Sequence, residues 1–155
     1  MPLIMKKKKV LVLCNGNSGR SQMAEGWIRY YSGNAAEVYS AGDESYDINM
    51  FAVKSMMDAV LDISHQKTKN IAKLTDTDFD FVITVCDEAR AMCPEMNEGC
   101  RKIHVSFPDP NAVGGSEEDK LMAFNMVRDD IEDFAFDFVH NNIRPLIPEN
   151  IEEFI

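Results

Sequence analysis

Short apolar segments that alternate with amphipathic ones predict an α/β protein. The predicted architecture is a three-layer sandwich, with a four-stranded parallel sheet and helices on both faces. The segment Val10-Leu11-Val12-Leu13 is a continuous apolar run, typical of a strand buried on both faces of such a sheet. Apolar and β-branched content between turn-forming residues predicts strands over 10–13, 37–41, 79–85 and 102–106.

The intervals between these strands carry helical patterns. Apolar residues at three- and four-residue spacing predict helices over 20–31, 49–59, 68–74 and 116–140. The last begins at Ser116, an N-cap residue followed by three acidic residues that complement the helix dipole. Its predicted core stripe consists of Leu121, Phe124, Val127, Ile131, Phe134 and Phe138.

A length of 155 residues suits one domain with one core. We predict a single catalytic domain over residues 1–142 and a C-terminal tail over residues 143–155. The tail contains Pro145 and Pro148, which cannot continue the preceding helix.

The net charge of −10 disfavours nucleic acid and anionic membranes as partners, because both require clustered Lys and Arg. Lys6 to Lys9 is interpreted as a solvated lead-in to the first strand. It follows an apolar start, which is the reverse of a secretory signal. Because no apolar run reaches the roughly 18–20 residues that span a bilayer, we expect a cytoplasmic protein without a membrane partner.

A loop of glycines and small polar residues, from Cys14 to Ser21, follows the first strand and opens the first helix. Backbone N–H groups of such a loop, with the helix dipole, form a cradle for a tetrahedral oxyanion. Glycine permits backbone conformations closed to other residues, and Asn tolerates positive φ. The predicted oxyanion-binding residues are Asn15, Gly16, Asn17, Ser18, Gly19 and Arg20.

Cys14 is the predicted nucleophile of this loop. The helix N-terminus and the guanidinium of Arg20 both stabilise a thiolate, so we expect a lowered pKa at Cys14. Arg20 presents a planar fork that can grip two oxygens of the anion. Ser21 can donate a hydrogen bond to the thiolate.

Ligands of parallel sheets lie beyond the carboxyl ends of the strands. Cys86 follows the third predicted strand and Asp109 the fourth, so both should lie near Cys14. The four cysteines, which include Cys93 and Cys100, lack the paired spacing of zinc ligands, and structural disulfides are rare in the cytosol. We expect neither a metal nor a cofactor.

The loop and its continuation through Trp27 resemble the signature of the low-molecular-weight tyrosine phosphatase fold. They resemble most closely the thioredoxin-coupled arsenate reductases built on that fold. The resemblance covers roughly residues 8–140, with motifs at 39–42, 84–87, 93–94, 106–110 and 127–129. Several dispersed motifs in the same order are far more specific than one loop.

The resemblance implies a cysteine relay. Cys14 attacks the central atom of arsenate or phosphate, and Asp109 protonates the leaving oxygen. Cys86 then attacks the Cys14–arsenic adduct, releases arsenite and leaves a Cys14–Cys86 disulfide. Cys93 attacks Cys86, and thioredoxin reduces the resulting Cys86–Cys93 disulfide. Cysteines seven residues apart are too distant along one rigid helix, so segment 86–93 should unwind or rearrange.

Two other hypotheses use the same loop: a low-molecular-weight phosphatase hydrolysing phosphate esters through a phosphocysteine, and a non-catalytic oxyanion sensor. The phosphatases usually place an aromatic residue after the Asp-Pro pair, where this chain has Asn111. The intact Cys14, Arg20 and Asp109 argue against a sensor.

Two positions depart from the resembled pattern. Gly19 stands where the family commonly has a second loop cysteine. Segment 64–69 carries lysines where some of these reductases bind potassium, which predicts that this chain needs no potassium. Cys100 is interpreted as a spare thiol, with an alternative resolving cysteine as the second interpretation.

Overall fold

Four parallel strands form the central sheet in the order β2-β1-β3-β4. The computed structural model describes residues 6–16, 18–43, 46–74 and 78–144. The strands are β1 (Lys8–Leu13), β2 (Ala36–Ala41), β3 (Phe81–Thr84) and β4 (Arg101–His104). β1 is central because residues 10–13 are apolar on both faces and fully buried. All four predicted strands are present, with ends shifted by one or two residues.

The α-helices are α1 (Arg20–Ser32), α2 (Met50–Asp58), α3 (Asp87–Met92) and α4 (Glu117–Asn142). Helix α4 packs against both α1 and α2, and α1 also packs against β2. The predicted fold class, an α/β sandwich with a four-stranded parallel sheet, is confirmed.

Helix α4 begins as predicted at Ser116. The Ser116 side chain accepts from the Asp119 N–H, and the Asp119 carboxylate accepts from the Ser116 N–H, which makes a capping box. Of the predicted stripe, Leu121 and Phe134 are only half-buried. The other four members, Phe124, Val127, Ile131 and Phe138, are buried.

The α-helix predicted over 68–74 is wrong. Only a 3-10 turn forms there, at Ile71–Lys73, with Asn70 as its N-cap. The segment is extended before the turn because it pairs with the end of β2: the Gly42 N–H bonds to Lys69 O, and the Ile71 N–H bonds to Gly42 O. This long-range pairing overrides a weak local helical pattern.

Ile143, the first residue of the predicted tail, is buried with 3% of its surface exposed. Residues 145–155, which make up most of that tail, lie outside the described residues. Within the described ranges, none of the helices is long and apolar enough to cross a membrane.

The register of the sheet brings three strand ends together. Leu13 of β1 pairs with Thr84 of β3, and Thr84 pairs with His104 of β4. Cys14 and Cys86, which follow the first two ends, therefore emerge at the same edge of the sheet.

Candidate active site

The sulfur atoms of Cys14 and Cys86 lie 3.6 Å apart. The two side chains are buried, at 2% and 1% exposure, and neither forms a disulfide. The backbone N–H of Asn15 also points at the Cys86 sulfur, at 3.3 Å. A disulfide requires the sulfurs to approach to about 2.05 Å, so a small movement could join this pair.

The two thiols are coupled by a hydrogen bond. The Cys14 thiol donates to the Cys86 sulfur, and this hydrogen bond lowers the pKa of Cys86 to about 6 from an ordinary value of 9.0. The same hydrogen bond, reinforced by burial, raises the pKa of Cys14. The lowered pKa predicted for Cys14 is therefore wrong for this residue in the reduced pair, although Arg20 does act in the predicted direction. Transfer of the Cys14 proton to Cys86 would make Cys14 the thiolate.

This coupling gives a testable titration. We expect one thiolate to appear with a midpoint near 6 when the ultraviolet absorbance of the reduced protein is followed against pH. In Cys14→Ala the largest cause of the lowered pKa is gone, and burial still raises the pKa, so the Cys86 midpoint should move up from about 6. A midpoint that stays near 6 in Cys14→Ala would contradict the shared proton.

Arg20 faces the same pocket from the first turn of α1. Its Nη1 donates to the carbonyl oxygen of Phe107 at 2.9 Å, which fixes the guanidinium. Its Nη2 lies 3.9 Å from Asp109 Oδ2. Arg20 is 12% exposed and Asp109 is 45% exposed, so the carboxylate stands at the mouth of the pocket. Buried Ser21 contributes its backbone N–H, which favours the thiolate form of Cys14.

The loop between Cys14 and Arg20 is braced from outside. Gly16 has a φ of 78°, which only glycine adopts without strain, and its N–H bonds to Asp43 Oδ1 at 3.2 Å. The carbonyl of Ser18 accepts from the Asn49 N–H at 2.9 Å. Asn17 lies outside the described residues. At Gly19 a Cβ would meet Phe124 at 3.9 Å, an ordinary contact, so this position has room for a Cβ.

The pocket over Cys14 is small, about 70 Å³, and is lined by loop residues, Arg20 and Asp109. A wider cavity of about 410 Å³ adjoins it, with Asn15, Ser18 and Asn111 common to both. Tyr46 lines the wider cavity and approaches Gly16 closely. The wider cavity therefore has an aromatic side chain in its wall. This residue could not be predicted from the segment after Asp109-Pro110, which contains no aromatic residue directly after the proline.

Cys93 follows α3 at its C-terminal end, half-buried, with its sulfur 3.6 Å from the carbonyl oxygen of Pro94. Burial raises its pKa, and the charge of Lys102 opposes this. A helical path from Cys86 to Cys93 spans about 10 Å, beyond the Cα separation that a disulfide allows. Of the predicted catalytic residues, Cys14, Arg20 and Asp109 line one pocket. Cys86 and Ser21 are buried and contact Cys14, and Cys93 stands apart.

Glu25 is a buried carboxylate of α1 that the sequence did not single out. Arg29 pairs with it at 2.9 Å, Ser40 Oγ donates to it at 2.6 Å, and Lys69 Nζ lies 3.9 Å away. Lys69 belongs to segment 64–69, whose lysines led to the prediction that this chain needs no potassium.

The cationic side chains of Arg29 and Lys69 already offset the charge of Glu25. We therefore expect added potassium to change the turnover rate less than twofold. Initial rates in potassium chloride and in tetramethylammonium chloride at equal ionic strength test this. A several-fold stimulation by potassium alone would contradict the prediction.

A second chain of polar contacts also escaped prediction. Thr84 Oγ1 lies 2.7 Å from His104 Nδ1, and His104 Nε2 lies 3.1 Å from Asp87 Oδ1. Both Thr84 and His104 end neighbouring strands, and Asp87 follows Cys86 directly. The strand-end rule that selected Cys86 could have selected them as well.

A cysteine loop after the first strand, with an arginine at its end and an aspartate facing it from beyond β4, defines a cysteine-dependent site for oxyanions. A family model for the low molecular weight phosphotyrosine protein phosphatases matches residues 9–145. The chain belongs to this family.

Three relatives place it more closely. It is 42% identical over 127 residues to an arsenate reductase of Halalkalibacterium halodurans, covering 82% of this chain and 91% of that protein. The arsenate reductase of Bacillus subtilis gives the same identity and coverage. A solved structure of an arsenate reductase in the phosphate binding state has a TM-score of 0.70 and 26% identity, over 86% of this chain and 98% of that chain. The predicted resemblance to arsenate reductases of this fold is confirmed.

Proposed function

We propose that the protein reduces arsenate to arsenite through a relay of three cysteines, with thioredoxin as the final reductant. The observation that carries this proposal is the 3.6 Å separation of the Cys14 and Cys86 sulfurs, with Cys14 in the wall of a pocket that Arg20 also lines. A phosphatase needs one thiolate, whereas a reductase needs a second thiol beside it to supply electrons.

In the first step, arsenate occupies the pocket over Cys14. Arg20 and the loop amides bind its oxygens, and the charge of Arg20 offsets the anion. The Cys14 thiolate attacks arsenic, and an oxygen leaves as water with a proton from Asp109. The product is an arsenic(V) adduct in which sulfur is bonded to arsenic.

In the second step, Cys86 acts on this adduct. Its thiol gives the proton that it took from Cys14 to an oxygen of the departing arsenic group, and its sulfur attacks the Cys14 sulfur. The sulfur–arsenic bond breaks, and the electron pair remains on arsenic. Arsenic(V) becomes arsenic(III) and leaves as arsenite, while two thiols become one Cys14–Cys86 disulfide. The short distance between the two sulfurs supports this step, because little backbone movement is needed.

In the third step, Cys93 attacks Cys86 and releases Cys14 as a thiolate. Because α3 separates the two cysteines by about 10 Å, the helix must unwind. The Cys86–Cys93 disulfide then lies on a segment whose residues 94–95 and 97–99 are exposed, open to a dithiol protein such as thioredoxin. The proposal includes a cytoplasmic location, a catalytic domain over residues 1–142 and a tail over 143–155.

The test is arsenate-dependent oxidation of NADPH in the presence of thioredoxin and thioredoxin reductase. We expect turnover with the wild type and none with Cys14→Ser. Direct measurement of arsenite identifies the product. If the wild type oxidises no NADPH and forms no arsenite, the proposed function is wrong.

Phosphatase activity is the second candidate, favoured by the family and by Tyr46, which lines the cavity beside the loop. An aromatic wall suits an aryl phosphate, and the first chemical step is common to both reactions. Hydrolysis of p-nitrophenyl phosphate together with a failure to form arsenite would favour this candidate.

A further inference from the structure

The N-terminus of α3, which carries Cys86, is tied to the sheet by one hydrogen-bonded chain. Thr84 and His104 are direct partners in the β3–β4 register, and their side chains meet at 2.7 Å. His104 then reaches Asp87, the first residue of α3, at 3.1 Å. We refer to Thr84, His104 and Asp87 as the Thr-His-Asp chain.

The donors and acceptors in this chain follow from chemistry. A carboxylate only accepts, so the proton between His104 and Asp87 is on His104 Nε2. In the neutral ring, His104 Nδ1 then accepts from the Thr84 hydroxyl. Thr84 is 5% exposed and fixed in the sheet, whereas the Asp87 side chain is 81% exposed. The Thr-His-Asp chain therefore links the exposed first residue of a surface helix to a buried residue of the sheet.

Helix α3 is otherwise held by the packing of Ala89 and Met92 against the core. It contains six residues, all within the described part of the chain, and buries only Ala89 among them. Helices this short are marginal without tertiary contacts. Cys86 itself contacts Cys14 and the Asn15 N–H, and Asp87 extends this anchoring by one residue.

Formation of a Cys86–Cys93 disulfide requires the opposite movement. Cys86 must leave Cys14 as α3 unwinds, and the adjacent Asp87 moves with it. The contact between Asp87 and His104 belongs to the helical arrangement, so it stabilises the state in which Cys86 faces Cys14.

We propose that His104 is a positioning residue of the relay: through Asp87 it holds Cys86 beside Cys14 and opposes premature formation of the Cys86–Cys93 disulfide. This inference rests on the proposed cysteine relay. It gives the relay its order, because Cys86 stays available to the arsenic adduct until the Cys14–Cys86 disulfide has formed.

The test measures the equilibrium between the Cys86–Cys93 dithiol and its disulfide in full-length Cys14→Ser protein. Glutathione disulfide takes two electrons from the two thiols and becomes two glutathione molecules. Alkylation of free thiols followed by peptide mapping gives the fraction of each state. Asp87→Ala and His104→Ala are compared with Glu88→Ala, which removes an equal charge from the same helical turn.

We expect Asp87→Ala and His104→Ala each to shift the equilibrium towards the disulfide about 3- to 10-fold, the value of one hydrogen bond. The double variant should shift it no further than either single variant, because both remove the same contact. Asp87→Asn should shift the equilibrium less than Asp87→Ala does. Glu88→Ala should leave the equilibrium within twofold of the parent protein. Because the Asp87 side chain is 81% exposed, we expect Asp87→Ala to fold normally, which keeps the test independent of folding defects.

Three results would overturn the positioning role. One is an equal shift in Asp87→Ala and Glu88→Ala, which assigns the effect to the helix dipole. Another is additive shifts in the double variant. The third is a parent protein that forms no Cys86–Cys93 disulfide at all, which would overturn the relay together with this inference; the first two leave the relay intact.

Discussion

Cys86→Ser is expected to abolish arsenite release while leaving the anion pocket assembled. Serine keeps the volume and the hydrogen bond towards Cys14, but its hydroxyl is not an effective nucleophile on sulfur. The Cys14–arsenic adduct would then have no second thiol at 3.6 Å to attack the Cys14 sulfur. Arsenate-dependent NADPH oxidation should fall to background, and phosphate should still compete with arsenate for the pocket.

Cys93→Ser should fail at a later point. Arsenite should form once per chain, because Cys14 and Cys86 together supply two electrons, and the protein should then accumulate a Cys14–Cys86 disulfide detectable by peptide mapping. Cys100→Ser is the matched control, since Cys100 is also half-buried and its pKa is also raised by burial. It should keep wild-type turnover.

The relay would be wrong if both Cys86→Ser and Cys93→Ser matched the wild type. Sustained turnover in Cys93→Ser that disappears in Cys93→Ser/Cys100→Ser would instead assign the resolving step to Cys100. Loss of secondary structure in any variant is monitored by circular dichroism, so that a folding defect is recognised as such.

The central part of the fold could be predicted because local sequence and tertiary environment agree there. Residues 10–13 are apolar without interruption, and they form the fully buried middle of β1. The start of α4 is fixed by a local capping box between Ser116 and Asp119. The segment 68–74 could not be predicted, because its conformation is set by pairing with Gly42, far away in the chain.

The same distinction applies to the site. Cys14, Arg20 and Ser21 are close in sequence, and the strand-end rule was enough to add Cys86 and Asp109. The contribution of Asp43 and Tyr46 depends on how one loop folds over another, for which no local pattern exists. The pKa of Cys14 was predicted in the wrong direction because a distant thiol, Cys86, outweighs the charge of Arg20.

Asp109→Asn should reduce arsenate turnover by about 10²- to 10⁴-fold, the usual contribution of a general acid. Asp109 is placed for this role at the mouth of the pocket, 3.9 Å from Arg20 and 45% exposed, where it can exchange protons with solvent. Its Oδ1 also accepts from the Asn111 N–H at 2.9 Å, which caps the 3-10 turn at Pro110–Ala112. Asparagine keeps that oxygen, so the turn should persist while the acidic proton is lost.

The control for Asp109→Asn separates the acid step from the electron relay. Wild type and variant are first oxidised with diamide, and the rate at which thioredoxin reduces them is measured. This exchange involves only thiolates and disulfides, so both proteins should be reduced at the same rate. If Asp109→Asn slows this reduction as much as it slows arsenate turnover, Asp109 supports the structure of the site. If arsenate turnover alone is slowed, the loss lies in the step where oxygen leaves arsenic, since that is the step in which a proton must be supplied.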